Sequence, residues 1–395
     1  MCIDVVAVSV NTVVVHEDEG SSDPLFRSKA TADTAARARR RDETDRPEIP
    51  VRAGSIGDTE RFKRGYTVTV TSKELARICG VSIGTVDRAL NDRPGISPKT
   101  KEKILRVSRE IGYRPHLIAR SLKTGKTMTL GIVVFDLDNQ YFSQLIDALE
   151  KRLRTSGYFL HLTLSDHDQE REIACLEHLA SLRVDGIFLV ATNAGTQFSS
   201  FLKSLNVPIV TLGNRVSKTI PFVGIDDRAA LGEVVDYVVS EGYREVVYYS
   251  PPLSYHGREN IYAVAERLAG YKESIDKHHL RQVVIKEKND FRLLVELLRS
   301  SSDRTAVVCS SDIFALQTLR YLSAEGFRVP EDVGLMGFDD IDLLEYVSPP
   351  LTTVSQRTGD LVDLAVNLMT RLLANEVPVP PVTTIKAAIV KRQSI

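Results

Sequence analysis

Three short amphipathic segments in the first third of the chain predict three helices. Their apolar positions recur every three or four residues, as on one face of a helix. Each segment begins at a hydroxyl residue that can cap open amides, and two of them end at glycine. The hydroxyl residues are Thr71, Ser82 and Ser97, and the glycines are Gly80 and Gly112. Two short helices joined by a tight glycine-containing turn predict a helix-turn-helix, which the third helix completes as an all-α head.

Beyond residue 128 the pattern changes to β-branched apolar runs that alternate with amphipathic segments. The apolar runs lie at residues 130–135, 184–190, 207–212, 245–249, 305–309 and 333–338. The helical segments lie near residues 141–156, 168–182, 197–205, 228–241, 258–277, 290–300, 313–325 and 356–375. This alternation predicts doubly wound parallel sheets, and about ten strand segments favour two lobes rather than one. We expect the chain to cross between the lobes near residues 225–228, near 350–355 and at one further point.

The first 65 residues lack apolar periodicity after Val15 and are rich in charged residues, proline and glycine. That composition is typical of a disordered extension. An alternative is that translation begins near Val68 or Val70, and both interpretations stay open.

Charge is distributed unevenly along the chain. The chain carries a net charge of −1, yet residues 66–127 hold 13 Lys and Arg against 5 Asp and Glu. Residues 128–395 hold 27 against 35. A basic head on an acidic body indicates a module that binds nucleic-acid phosphates.

Composition narrows the other function classes. The four cysteines are scattered without metal-ligand or disulfide spacing, which favours a reducing cytoplasm, and no apolar run is long enough to cross a membrane. The apolar N-terminus lacks a preceding Lys or Arg and is a poor signal peptide. We expect no cofactor, no metal site and no catalytic set; a G-x-S-x-G match at Gly80–Gly84 follows a predicted helix instead of the strand that a nucleophile elbow needs.

The head resembles that of the lactose/galactose-repressor (LacI/GalR) family. The matching residues are Thr71 through Ala76, Gly80-Val81-Ser82, Thr85-Val86, Arg88, Leu90-Asn91, Ile96-Ser97, Thr100, Gly112-Tyr113, Pro115 and Ala119-Arg120-Ser121-Leu122. The resemblance continues to about residue 392, through segments such as Gly337-Phe338-Asp339-Asp340. It implies an all-α head on a two-lobed α/β body of the type I periplasmic-binding-protein kind. The implied domains are a head at residues 66–114, a hinge helix at 115–126 and an effector-binding and dimerisation body at 127–395.

The resemblance also implies roles for residues of the head and hinge. Ser82, Thr85 and Asn91 would hold phosphates, Arg88 would reach a base edge, and Leu122 would enter the minor groove. The full predicted DNA-binding set is Thr71, Ser72, Ser82, Ile83, Gly84, Thr85, Arg88, Asn91, Ser97, Thr100, Tyr113, Ala119 and Leu122.

This chain departs from the family at the positions that distinguish base pairs. Ile83 and Gly84 offer no hydrogen-bonding side chain, although Ile83 can touch a thymine methyl. Asp87 stands where the family usually has Ser, and a carboxylate there would read a cytosine amine or repel a phosphate. The operator sequence therefore does not transfer from relatives.

Polar residues that follow the predicted strands are candidates for a ligand site, because open α/β sheets bind ligands beyond the carboxyl ends of their strands. Asp, Asn and Arg beside aromatic residues suit a polyhydroxylated, sugar-like effector. The resemblance implies that Arg267, Asp339 and Gln356 contact the effector, as do Asp226 or Asp227 and the region of Asp312, in a family whose effectors are usually sugars or nucleobase-like molecules. The full predicted effector-binding set is Phe142, Asn214, Arg215, Asp226, Asp227, Arg267, Asp312, Asp339 and Gln356. The resemblance does not choose between Asp226 and Asp227. Structural roles stay open for several members, with Asp312 and Asp339 as helix caps and Arg267 as a surface charge.

The sequence thus predicts a homodimeric, cytoplasmic, sequence-specific regulator, most simply a repressor, whose affinity for double-stranded operator DNA is set by a small-molecule effector. One alternative is a sugar-binding protein of a transport system, which leaves the basic head unexplained. A second alternative is an enzyme on a doubly wound sheet, for which the sequence supplies no catalytic set.

Overall fold

The computed structural model describes residues 12–13, 70–113, 125–250, 261–286, 291–376 and 378–395. The chain divides into a smaller unit, residues 16–116, and a larger one formed by residues 1–15 and 117–395. Apart from residues 12–13, the predicted extension at 1–65 lies outside the described residues. So does most of the predicted hinge, including Ala119 and Leu122. Those predictions stay untested.

The smaller unit contains the three predicted helices. They are α1 (Ser72–Cys79), α2 (Ile83–Leu90) and α3 (Pro98–Glu110). The hydroxyl caps are confirmed: the side chains of Thr71, Ser82 and Ser97 each accept a hydrogen bond from the amide three residues later, at 3.1–3.2 Å. Gly80 ends α1 in the left-handed conformation, at φ 65°. The helices enclose a small core of Leu75, Ala76, Cys79, Val86, Ala89 and Ile104.

The strands of the larger unit form two parallel sheets and one antiparallel pair. They are β1 (Thr12–Val13), β2 (Thr129–Val134), β3 (Phe159–Leu164), β4 (Gly186–Leu189), β5 (Ile209–Leu212), β6 (Phe222–Ile225), β7 (Glu245–Tyr249), β8 (Gln282–Ile285), β9 (Thr305–Cys309), β10 (Gly334–Met336), β11 (Thr353–Ser355), β12 (Val382–Ile385) and β13 (Ala388–Val390). The sheet of the first lobe has the order β12-β6-β5-β4-β2-β3, and that of the second lobe has the order β1-β8-β7-β9-β10. β11 pairs antiparallel with β13.

Helices cover both sheets, and all eight predicted helical segments of the body are found. They are α4 (Gln140–Arg154), α5 (Gln169–Ser181), α6 (Gly195–Ser204), α7 (Asp227–Ser240), α8 (Tyr262–Lys277), α9 (Phe291–Ser300), α10 (Asp312–Ala324) and α11 (Thr358–Leu373). A 3-10 helix spans Asp342–Glu345.

The chain crosses between the lobes at three places, as predicted. After β6 it enters α7, whose Leu231 and Val234 join the second-lobe core. After β11 it returns through α11, which packs on α4. The third crossing follows β12, since β12 pairs with β6 whereas Ser394 near the C-terminus donates to the carbonyl of Leu335 beside β10. These crossings form a base from which the two lobes face each other across a cleft.

Candidate functional site

Helix α2 presents one face to solvent and packs the other on the head core. Val86 and Ala89 are buried, whereas Ile83 is 51% exposed and Gly84 and Arg88 are exposed. Ile83, Gly84 and Arg88 lie on one exposed face of α2. They are the residues at the positions predicted to meet base edges. The Arg88 side chain extends toward Gly95, where its Nε lies 3.9 Å from the position that a Cβ would take.

Hydroxyl pairs stand at the N-termini of two head helices. Ser82 Oγ lies 2.9 Å from Thr85 Oγ1, and Ser97 Oγ lies 2.8 Å from Thr100 Oγ1. Helix N-termini with open amides and hydroxyls favour phosphate oxygens. Capping of the helices therefore accounts for these four side chains in the free head, and phosphate binding is compatible with it.

Asp87 is engaged within the head, a contact that the sequence did not predict. Its Oδ2 lies 3.3 Å from Arg93 Nη1, and its Oδ1 accepts a hydrogen bond from Asn91 Nδ2 at 3.1 Å. The same amide donates to the carbonyl of Asp87 at 3.0 Å. The carboxylate thus holds Arg93 and Asn91, and Asn91 is one of the residues predicted to bind DNA. Of the remaining predicted residues, Thr71 is exposed, Ser72 is half-buried, and Tyr113 packs partly against the head core.

In the larger unit, the cleft between the lobes encloses a cavity of about 480 Å³. That volume lies within the range of small-molecule sites. Six of the nine predicted effector residues line it: Phe142, Asn214, Asp227, Arg267, Asp339 and Gln356. The predicted position, beyond the carboxyl ends of the strands, is therefore where the cavity lies.

Arg267 is the charged centre of the cleft, and its placement excludes the surface-charge interpretation because only 8% of it is exposed. Its Nε donates to Asp227 Oδ1 at 2.7 Å, and its Nη1 donates to the carbonyl of Ser310 at 2.8 Å. Asp339 Oδ1 lies 3.9 Å from the same Nη1, and the Phe338 ring covers the guanidinium face at 3.6 Å. Two buried carboxylates thus compensate one buried cation, as a low-dielectric site requires.

Asp339 is held by groups from different parts of the body. Its Oδ1 accepts from Gln356 Nε2 at 2.7 Å, and its Oδ2 accepts from Asn139 Nδ2 at 3.1 Å. Its φ is 125°, in a region that a residue other than glycine adopts only when its surroundings hold it there. Burial raises the pKa of this carboxyl above its ordinary value, although Arg267, Asn139 and Gln356 act to lower it. No helix begins at Asp339, so the predicted capping alternative is wrong for this residue.

Three predicted effector residues are not among the residues that line the cavity. Asp226 caps α7, where its Oδ1 accepts the Ala229 amide at 3.0 Å, so Asp227 is the member of that pair which faces the cleft. Asp312 is buried and accepts hydrogen bonds from the Ile341 amide at 2.9 Å and the Thr353 hydroxyl at 2.5 Å. Ser311, not Asp312, caps α10. Arg215 is half-buried beside the lining residue Asn214.

Hydrogen bonds join the two lobes around the cavity. Asn139, which caps α4 of the first lobe, donates to Asp339 of the second. The Ala263 amide at the start of α8 donates to Asn214 Oδ1 at 3.2 Å, across the same cleft. Residues that line the cavity therefore bring the two lobes into contact. A ligand in the cavity would lie against both lobes.

The lining also includes Phe135, His167, Ser310 and Phe314, which the sequence did not assign to the site. His167 Nε2 lies 2.7 Å from Asp136 Oδ2, and its ring stacks on Phe135 at 4.7 Å between centroids. That contact lowers the pKa of Asp136. His167 lies in a loop after β3, a strand that the apolar pattern did not reveal, and the exposure of β3 explains why. Phe314 and Ser310 join the lining from around β9 and α10.

No helix in the described part of the chain is both long and apolar enough to span a membrane.

A helix-turn-helix head attached to a two-lobed body with a charged cleft defines a ligand-responsive DNA-binding regulator. Residues 71–116 match the family described as bacterial regulatory proteins, lacI family, and residues 235–395 match a periplasmic binding protein-like domain. The PurR transcriptional repressor of Vibrio atlanticus (strain LGP32) is 30% identical over 295 residues, which cover 72% of this chain and 86% of that protein. The chain belongs to the lacI family of transcriptional regulators.

Solved structures share the fold. A lac repressor dimer bound to operator and the anti-inducer ONPF has a TM-score of 0.71 at 24% identity, covering 82% of this chain and 99% of that one. The complex of the regulator CelR with cellobiose has a TM-score of 0.59 at 24% identity, covering 82% and 99%. The relatives are transcriptional regulators rather than enzymes, and effector-controlled DNA binding is the function of this chain.

Proposed function

We propose that this regulator is a cytoplasmic, non-catalytic repressor whose effector is a sugar or a sugar derivative. The observation that carries the proposal is the cluster of Asp227, Arg267 and Asp339 in a cavity with aromatic walls. Carboxylates accept paired hydroxyls and a guanidinium donates to ring oxygens, while Phe142 and Phe314 offer apolar surface to a sugar ring. The cellobiose bound to CelR supports the same class of ligand.

The head reads the operator with α2 in the major groove. Arg88 makes the base contact, bidentate to guanine, while Ile83 meets a thymine methyl and Gly84 lets the helix approach the base edges. The hydroxyls of Thr71, Ser72, Ser82, Thr85, Ser97 and Thr100, with the side chains of Asn91 and Tyr113, contact the phosphates. Ala119 and Leu122 of the hinge enter the minor groove and kink it.

The effector acts by linkage between the cleft and the head. A ligand that bridges the lobes favours one arrangement of the body, and the change in operator affinity equals its differential affinity for the two arrangements. Such coupling is typically about 1–3 kcal/mol. By the same linkage, binding of the operator must change the affinity for the effector by the same factor.

Two copies of the chain act together, and exposed apolar residues of the body support this. Tyr346 is 83% exposed and Leu343 beside it is 45% exposed, both after β10. Phe159 is 74% exposed on β3, which pairs only with β2 among the described strands. Exposed apolar patches and free sheet edges mark interaction surfaces, and a two-fold dimer places two heads on a palindromic operator.

Selection of duplexes from a random library, followed by salt-titrated binding, tests the regulator. We expect one near-palindromic site, a steep decrease of affinity with salt, and a change of affinity when a sugar panel is added. Arg88→Ala is expected to lower the preference for that site by about 1–3 kcal/mol. Lys99 is an exposed charged residue at the start of α3, and Lys99→Ala is the control. It is expected to weaken binding to all duplex sequences by the same factor. Equal binding of all duplexes would refute the proposal.

A further inference from the structure

The cleft has an unusual balance of charge for a site that receives a small molecule. Among the described residues that line it, Asp136, Asp138, Asp227 and Asp339 are acidic, and Arg267 is the permanent cation. His167 is the remaining titratable base of the lining. Carboxylates therefore outnumber cations in this cavity in every protonation state that His167 and Asp339 can adopt.

The one permanent cation is already committed to protein partners. Arg267 is buried, donates to Asp227 at 2.7 Å and to the Ser310 carbonyl at 2.8 Å, and lies 3.9 Å from Asp339. One face of its guanidinium is covered by the Phe338 ring. An arginine compensated by two carboxylates has no net charge left to offer an anionic ligand.

The remaining base is compensated in the same way. His167 Nε2 lies 2.7 Å from Asp136 Oδ2, so a protonated imidazole there is neutralised by its neighbour. Asp138 adds a further exposed carboxylate at the same side of the cavity. A phosphate or carboxylate that entered would lose its hydration without gaining an unpaired cation.

We propose that the effector is an uncharged polyhydroxylated molecule and that this cleft excludes its carboxylated and phosphorylated counterparts. The inference rests on the proposed sugar effector and narrows it. Neutral hydroxyls can donate to the carboxylates of Asp227 and Asp339, whereas an added anionic group faces repulsion from the same oxygens. Rejection through like charge is a common route to specificity between ligands of one shape.

Matched sugars test the proposal on the full-length protein by isothermal titration calorimetry. The panel comprises glucose, galactose, ribose and cellobiose, with glucuronate, galacturonate, glucose 6-phosphate and ribose 5-phosphate as the anionic counterparts. We expect one neutral sugar to bind at least about tenfold more tightly than its anionic counterpart, which is the size of effect that one unfavourable buried charge contact produces. Inorganic phosphate at equal ionic strength corrects for anions that bind the basic head.

The outcomes separate this inference from the proposed function. An anionic sugar that binds as tightly as its neutral counterpart, above the phosphate control, would overturn the charge inference and leave the sugar-responsive regulator intact. If no sugar of the panel bound, both the proposed sugar effector and this inference would be overturned.

A charge variant supplies a second measurement. Asp227→Asn releases Arg267 from its closest partner, so the preference for the neutral sugar is expected to narrow by about tenfold. Asp138→Asn removes an exposed, solvent-screened carboxylate of the same cavity and is expected to change that preference by less than about threefold. An unchanged preference in a folded Asp227→Asn protein would contradict the assigned cause, and the wild-type comparison still decides the proposal if that variant does not fold.

Discussion

At the scale of single residues, the effector cleft depends on charges buried in pairs. Arg267 is almost fully buried, which an arginine tolerates only when its donors and its charge are compensated. Asp227, Asp339 and the Ser310 carbonyl provide that compensation. Removing one of these groups changes the charge balance and the hydrogen bonds of the others, so the effect of a single substitution there includes changes at its partners.

The pH dependence of effector binding follows from Asp339. Burial places the pKa of this carboxyl in the folded protein above its ordinary value of 3.8. Protonation on acidification therefore occurs at a higher pH than for an exposed aspartate, and it removes an acceptor for ligand hydroxyls. We expect the affinity for a neutral sugar to fall as the pH is lowered from about 8 to about 5.

Calorimetry across this pH range measures the effect. Asp339→Asn is the matched control, since its amide cannot titrate, and it is expected to bind weakly with a flatter pH profile. An identical pH profile in the two proteins would assign the titration to a group other than Asp339.

A second prediction at this scale concerns Asp87. Because its carboxylate holds Arg93 and Asn91, Asp87→Asn is expected to free both side chains and to change the preferred duplex. Removing the charge is also expected to raise affinity for all DNA by about two- to fivefold at low salt.

Asp92→Asn is the control for Asp87, measured by duplex selection and salt-titrated binding. Asp92 stands between Asn91 and Arg93 in the chain, and its carboxylate pairs with Lys101 at 2.5 Å. We expect this variant to raise affinity without changing the preferred sequence. The same selected sequence for both variants would show that Asp87 does not position its neighbours for base reading.

At the scale of elements, close packing of α7 on α8 fixes the side of the cleft that carries Asp227 and Arg267. A methyl group added at Gly270 would lie 2.0 Å from the carbonyl oxygen of Arg228, which belongs to the backbone of α7. Only glycine allows the two helices to approach this far. The spacing of these helices therefore sets the distance between the two charged residues.

Gly270→Ala is expected to force the helices apart, to destabilise the body by about 1–3 kcal/mol and to weaken effector binding. The midpoint of thermal unfolding of the full-length protein, followed by calorimetry, measures the change.

Gly232→Ala on α7 is the matched control, because no atom lies within 4 Å of the added methyl. It is expected to stabilise the body by about 0.5–1 kcal/mol, since alanine loses less backbone entropy in a helix than glycine. If the two variants shifted the midpoint alike, close packing at Gly270 would not be the cause.

At the scale of the whole molecule, the proposed operator binding requires two heads, and the exposed apolar residues of the body are expected to pair them. Tyr346→Asp places a charge on that surface and is expected to shift the protein from dimer to monomer in analytical ultracentrifugation. Loss of the second half-site is expected to weaken operator binding by about 100-fold or more. Binding of the effector is expected to persist.

Ser300→Asp adds the same charge at another exposed position of the second lobe, on α9, and controls for charge alone. It is expected to leave the dimer and the operator affinity unchanged. A Tyr346→Asp protein that remained dimeric would move the proposed interface elsewhere on the body.

The sequence by itself determined the head, the helices of the body and the buried parallel strands. Those features depend on local signals: the hydroxyl caps, a glycine such as Gly80 in the left-handed region, and apolar runs that only a doubly covered sheet explains. Short or exposed strands such as β3 and β6 lack that signal, so the pattern did not reveal them.

Tertiary structure alone decided which polar residues meet in the cleft. Asp226 and Asp227 are adjacent in the chain, yet one caps α7 and the other binds Arg267, because the helix turns them in different directions. Asp312 and Asp339 both follow strands and both are buried, yet Asp339 lines the site whereas Asp312 is held by the Ile341 amide and the Thr353 hydroxyl. Asn139 and Asp339 are 200 positions apart in the chain, yet they form a hydrogen bond. No local sequence pattern predicts a contact between residues so far apart in the chain.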